Sequence, residues 1–186
     1  MLEYEPFITT VSGKKVTFRD PQDDQIDIKD IAYSLANQCR FNGHVSFYSV
    51  AEHSVAVASR MAPDQQLAGL LHDASEAYLS DIPSPIKQFL PDYLLMEETM
   101  QKAINKKYGV ETVTPDVKFA DKDALHTEAF YLMNNPDWIP KAWQPSKRWA
   151  RPACLPPVEA YKLFMTWFED LTKSPLILPE TSIILV

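Results

Sequence analysis

Two histidines and two aspartates stand at spacings that could converge on a single ion. His72-Asp73 falls in an apolar run, with LAGLL before it and ASEAYLSD after it. An imidazole beside a carboxylate in such company needs partners, because a polar group taken out of water without one is costly. A metal ion satisfies both at once; the plain alternative is a hydrogen-bonded His–Asp pair in a core. His53 lies nineteen residues upstream on the preceding predicted helix, and Asp121 on a later one, in KFAD. Three helices then each send nitrogen or oxygen donors toward one point inside a bundle, where such folds build metal sites. Two imidazoles and two carboxylates suit one divalent transition ion (Zn, Mn, Co or Fe) better than Mg or Ca. Asp123, two residues on, is a rival to Asp121 on another helix face.

Glu76 follows His72 by four residues and Asp73 by three, so a helix places it on their face. A carboxylate there can reach water at the ion without being a ligand, as a general acid or base must. Asp81, near the predicted helix end, could orient water or a leaving group. The plain readings are an exposed helix Glu and a turn Asp before Ile82-Pro83. His44 is a candidate for substrate contact, and His126 reads as structural.

The elements that must hold these residues are mostly helical. Residues 7–18, FITTVSGKKVTF, form two short β-branched runs around Ser12-Gly13, which predicts a hairpin. Ile28, Ile31, Ala32, Leu35 and Ala36 recur at helical spacing, from about Ile26 to near Arg40, where Asn42-Gly43 signals a turn. Ser49-Val50-Ala51-Glu52 is a capping-box pattern opening a helix to about Met61. Asp64 is the expected N-cap of a helix that runs through His72-Asp73 and stops before Pro83. A short helical turn near 85–90 precedes helices over Asp92–Tyr108, closed by Gly109, and from Thr114-Pro115 to about Met133. A last helix covers 157–172. The expected fold is all-α: a bundle of six or seven helices with a small N-terminal hairpin, in one domain. Within it, 1–20 are hairpin and lead-in, 21–134 the metal-binding core, 135–155 a Trp- and Pro-rich loop, and 156–186 a C-terminal helix and apolar tail.

Composition narrows the function classes. The net charge of -7 and pI near 5.1 argue against stable binding of a nucleic-acid backbone, which needs clustered Lys and Arg. No apolar run approaches the ~20 residues that span a bilayer, and MLEYEPF lacks a signal-peptide start. Cys39 and Cys154 form no CxxC motif and read as reduced thiols. The expectation is a cytoplasmic protein, in the host cell if phage-encoded, with no membrane partner. The apolar tail and the Trp-rich loop are candidate contacts in a homo-oligomer.

The strings SVAEHS, LLHDASEAYLSDIPSPIK and KFADKDAL resemble the HD-domain phosphohydrolase superfamily, with its pattern of H, HD and a distant D. They are similar to the bacterial 5′-deoxynucleotidases of that superfamily and to related phage and prophage proteins, among them phage dATP triphosphohydrolases. The similarity runs from about residue 10 to 130 and is strongest over 31–124. The resemblance implies an all-α HD fold with one divalent metal on His53, His72, Asp73 and Asp121. It implies Glu76 and Asp81 as the catalytic acids, Lys87 as the phosphate-binding lysine, and Arg40-Phe41 as the pair contacting phosphate and base. Phe41 stands where the better-known deoxynucleotidases carry Trp, and the segment up to His53 is shorter and holds Gly43-His44. Both departures side with the phage and prophage branch. The implied reaction is cleavage of the O5′-phosphate bond of a purine deoxynucleotide of the dAMP or dATP type. Lys118, Lys122, Lys147 and Arg148 are candidates for a longer phosphate chain. Two other readings stay open: a non-catalytic metal-stabilised domain that binds a nucleotide or protein, and a cyclic-nucleotide phosphodiesterase, which would want further histidines between the HD pair and the last Asp.

Overall fold

The β-branched runs flanking Ser12-Gly13 pair as the sequence predicts. In the computed structural model, which describes residues 5–133, 137–139 and 150–173, strands β1 (Phe7–Thr9) and β2 (Lys15–Thr17) are antiparallel, with Ile8 opposite Val16. Gly13 takes the left-handed conformation the tight turn requires (φ +84°). The buried Asp30 carboxylate ties this hairpin to the bundle by accepting from the Ser12 amide at 3.0 Å and its hydroxyl at 2.6 Å.

Eight α-helices follow among the described residues: α1 (Ile28–Asn37), α2 (Val50–Ala58), α3 (Gln66–Leu70), α4 (Glu76–Leu79), α5 (Ser84–Lys87), α6 (Pro91–Tyr108), α7 (Pro115–Leu132) and α8 (Pro157–Thr172). Asp27 caps α1, Ser49 caps α2 and Thr114 caps α7, each accepting a first-turn amide. Helix α6 ends on Gly109 at φ +66°. No described helix is long and apolar enough to cross a membrane. Lys147, Arg148, most of the 135–155 loop and the apolar tail lie outside the described residues.

Helix α2 is the axis of the fold. It packs on α1, α3, α7 and α8, and all but one of its residues are buried. A helix apolar on nearly every side can only be a core helix. The half of the capping box that assigns Glu52 to its own N-cap does not form. The Ser49 hydroxyl accepts from the Glu52 amide at 3.1 Å, but the Glu52 carboxylate points away. It accepts from the amides of Ala153, Cys154 and Leu155 at 2.8, 3.1 and 2.8 Å. Three donors converging on one carboxylate outcompete the single N-cap amide.

The helix expected from Asp64 to Pro83 is broken. A 3₁₀ turn at Pro63–Gln65 leads into α3, with no side-chain cap from Asp64. Residues 71–75 then tighten into successive turns before α4. The Ala74 amide bonds the Leu71 carbonyl at 3.1 Å, Glu76 bonds Asp73 at 3.0 Å, and Tyr78 bonds Ser75 at 3.0 Å, all three residues back. Side chains cause the break. His72 Nδ1 takes the Gly69 carbonyl at 2.8 Å, and the Gln101 amide inserts between Ser75 and Leu71. An inserted side chain is a standard reason for a helix to open. Beyond α4, Ser80 lies at φ 73°, ψ 151°, a region that is nearly glycine-only and costs about 1–3 kcal/mol. It turns the chain sharply just before Asp81.

Candidate metal centre

Close packing of α3 on α2 brings the His-Asp pair to His53. A Cβ built on Gly69 would stand 2.9 Å from Met61 Cγ and 3.0 Å from the Ala58 Cα, so only glycine permits this approach. His53, His72 and Asp73 each offer a donor atom within 4.8 Å of the others. Asp121, from α7, reaches His53 Nε2 at 3.2 Å and His72 Nε2 at 3.9 Å. Asp73 Oδ2 lies 3.5 Å from His53 Nε2 and 3.1 Å from His72 Nε2. Separations of 3.1–3.9 Å are short enough for all four side chains to reach one ion, since each donor approaches a transition ion to ~2.0–2.2 Å. Asp123 does not join the group; it pairs with Arg60 at 3.0 Å.

The tautomers follow from the partners on the other ring nitrogens. His72 Nδ1 faces the Gly69 carbonyl at 2.8 Å and His53 Nδ1 faces Glu128 Oε1 at 2.6 Å. Both partners only accept, so both Nδ1 atoms carry the hydrogen and donate. The Nε2 lone pairs are then left facing Asp73 and Asp121, which are acceptors too. Both Nε2 atoms are buried without a hydrogen-bond partner. Lone pair against carboxylate is repulsive unless a positive charge stands between them. Burial pulls the His72 imidazole down, but Asp73 and Asp121 outweigh it and hold its proton up to about 9. Burial likewise opposes the His53 imidazolium, as does Arg40, yet Glu128 and Asp121 raise it. The Asp73 and Asp121 carboxyls are held below their usual range by the imidazoles, against burial. His53, His72 and Asp73 thus form a group that could hold a metal ion, with the Asp121 carboxylate beside them.

A second layer fixes the donors. Glu128 is buried; burial pushes its carboxyl up, but His53 and Arg40 bring it down to about 2. It accepts from Tyr48 at 2.9 Å and pairs with Arg40 Nε at 3.2 Å. Arg40 Nη1 also lies 3.7 Å from Asp73. The guanidinium is therefore part of the centre, and its burial is outweighed by Glu128 and Asp73, which keep it charged. Its aromatic neighbour Phe41 lies with its ring 5.7 Å from the guanidinium carbon. Phe41, Asn42 and Gly43 are consecutive left-handed residues, at φ 54°, 52° and 76°. Such strain clusters at functional loops. His44 follows this turn and is exposed.

Glu76 is buried at the mouth of α4, with Oε1 on Lys87 Nζ at 3.1 Å and Oε2 without a partner. Burial pushes its carboxyl well up, Asp73 and Asp81 add to this, and Lys87 opposes it. Lys87 also pairs with Glu97 at 2.5 Å. Burial lowers the Lys87 ammonium, but Glu76 and Glu97 together raise it. Asp81 is pushed up by burial and by Asp73, with Arg40 opposing. The Gln38 side chain brackets both acids. Its Nε2 donates to the Glu76 carbonyl at 3.0 Å and its Oε1 accepts from the Asp81 amide at 2.9 Å. His126 stands outside this network, its ring 6.1 Å from Trp138. Lys118 and Lys122 are exposed.

Glu128, Tyr48, Glu97, Gln38 and Gln101 are absent from the residues singled out by sequence. Glu128 alone carries a signal: it follows Asp121 by seven residues, two helical turns, and so shares its face. No family model matches the chain. An uncharacterized protein of Rhodobacter capsulatus is 33% identical over 135 residues, 64% of this chain and 69% of that protein. The uncharacterized protein YfdR of Escherichia coli K12 is 42% identical over 172 residues, covering 90% of this chain and 96% of its own length. Near full-length similarity at that level places the chain in a family: it belongs to the family of YfdR.

Proposed function

We propose that this chain is an HD-domain phosphohydrolase that holds one divalent transition ion and cleaves the O5′-phosphate bond of a purine deoxynucleotide, of the dAMP or dATP type. One observation carries the reading: two buried Nε2 atoms without a hydrogen-bond partner converge with Asp73 and Asp121, beside a buried carboxyl that has one oxygen unpartnered. His53, His72, Asp73 and Asp121 hold the ion. Bound there, a divalent ion supplies Lewis acidity toward a phosphoryl oxygen and toward water.

The remaining steps belong to the chain's own side chains. Water adds to phosphorus and the P–O5′ bond breaks, releasing nucleoside and phosphate, or triphosphate from a triphosphate substrate. Glu76, kept in its acid form by burial and by Asp73 and Asp81, donates the proton that the departing O5′ takes; the attacking water restores it. Asp81 orients that water from the strained bend after Ser80. Lys87 and Arg40 supply positive charge beside the phosphoryl group, and Phe41 offers a face to the base. This assignment accounts for an acidic protein acting on an anion, since positive charge is needed only at the site.

A panel of deoxy- and ribonucleotide mono-, di- and triphosphates, assayed with Zn, Mn, Co and Fe, tests the proposal by the phosphorus product released. Glu76→Gln should lower turnover about 10²-fold or more while metal content stays that of the parent. Full turnover in that variant overturns the role of Glu76. Metal binding with inactivity across the panel identifies a non-catalytic metal-stabilised domain instead, and two ions per chain would revive the cyclic-nucleotide reading.

A further inference from the structure

Adjacent residues on an α-helix project about 100° apart and do not face each other, yet His72 Nε2 and Asp73 Oδ2 lie 3.1 Å apart. The backbone between Leu71 and Ser75 is where this is resolved. In a regular helix the Ser75 amide would donate to the Leu71 carbonyl. Here a single side chain from α6 binds both groups, and the Leu71 carbonyl also accepts from the Ala74 amide at 3.1 Å. Gln101 Oε1 accepts from the Ser75 amide at 3.0 Å, and Gln101 Nε2 donates to the Leu71 carbonyl at 2.8 Å. The missing rung spans His72, Asp73 and Ala74.

The orientation of this amide is dictated rather than chosen. An N–H of the backbone requires the oxygen end, and a C=O requires the nitrogen end. The second Nε2 hydrogen is placed on Asn105 Oδ1 at 3.0 Å, one helical turn on, and the Thr112 hydroxyl donates to that same oxygen at 3.1 Å. Gln101 and Thr112 are buried. The insert is therefore held from behind, and leaving the Ser75 amide unpaired would cost about 1–3 kcal/mol.

We propose that Gln101 is a positioning residue of the metal centre: its amide replaces one rung of the backbone ladder and so turns the adjacent side chains of His72 and Asp73 toward one point. The inference rests on the metal reading above for its consequence, though not for its geometry. Without the insert, the Ser75 amide loses its acceptor and regains one by taking the Leu71 carbonyl from the Ala74 amide, which holds it at 3.1 Å, so that residues 66–79 close into a continuous helix.

The test uses Gln101→Met, which keeps an unbranched chain of similar length but no hydrogen bonds. Its crystal structure should show Ser75 bonded to Leu71 and the His72–Asp73 separation widened beyond 3.1 Å. Titration with Co²⁺ should show affinity reduced about 10–100-fold, as for loss of an outer-shell partner, with an altered cobalt absorption spectrum and undiminished helical circular dichroism. If residues 71–75 keep their tightened path and the cobalt spectrum matches the parent, the proposal is overturned. If the parent itself takes up no cobalt, the metal reading falls, and the crystal comparison still decides the role of Gln101. Should Gln101→Met fail to fold, Gln101→Glu decides, because it keeps the acceptor for Ser75 and loses the donor for Leu71. Weakened cobalt binding with a changed spectrum then supports the assignment, and parental behaviour overturns it.

Discussion

A histidine's second nitrogen is as informative as its first. Glu128 has no direct place among the four donors, but it sets which nitrogen of His53 carries hydrogen, and Gly69 does the same for His72 through its carbonyl. Carboxylate partners also raise imidazole basicity. Glu128→Gln preserves shape and an acceptor but removes the charge, so metal affinity should fall about tenfold with little change in fold. Isothermal titration with Zn²⁺ checks this, and an unchanged affinity would mean that Glu128 serves Arg40 and Tyr48 alone. The convergence of His53, His72, Asp73 and Asp121 was legible in the sequence because a His-Asp pair among leucines and alanines has few uses. Glu128, Gln38 and Glu97 were not, since Glu and Gln are ordinary residues on helices. Their roles come from contacts across 75, 38 and 10 positions of chain.

At the scale of elements, helix periodicity located α1, α2, α6, α7 and α8 well, because each owns a buried stripe and a recognisable start or stop. It failed at 64–82, where the apolar pattern continues through a backbone that does not. A pattern of side chains cannot report that an amide from another helix has entered the ladder. The same region packs closely on α2 at Gly69. Gly69→Ala should destabilise by about 1–3 kcal/mol, since Met61 can swing aside but the Ala58 backbone, 3.0 Å from the added carbon, cannot. Urea denaturation would measure it. A stability equal to the parent would show that α3 can slide from α2, and with it that His72 is less firmly held than the geometry indicates.

Across the whole molecule, the candidate centre joins α2, the 71–75 turn and α7, so binding of the proposed ion would be linked to folding. The apo protein keeps an acidic pocket whose repulsions are relieved only by protons. A chelator should lower the melting temperature, and re-addition of metal should restore it. At a free concentration one hundred times the dissociation constant the recovery corresponds to about 2.7 kcal/mol. Scanning calorimetry across several ions would rank their affinities as well. A melting temperature indifferent to chelator and to added metal would remove the centre from the stability of the fold. The mostly helical class with a small hairpin was readable from the periodicity of the apolar residues. Which helix would be the axis was not, as the small residues of α2 read equally well on a half-exposed helix.

Glu52 ties two of these scales together. It sits next to His53 on α2, and its carboxylate gathers three amides from residues 153–155, just ahead of α8. A segment with no regular structure is thereby pinned to the central helix by the neighbour of a ligand. Helix α8 also packs on α1 and α2, so the end of the described chain belongs to the same cooperative unit as the middle. Local opening at the start of α8 must here uncover the buried Glu52 carboxylate beside His53. Fraying of α8 and disorder at His53 are for that reason one event rather than two.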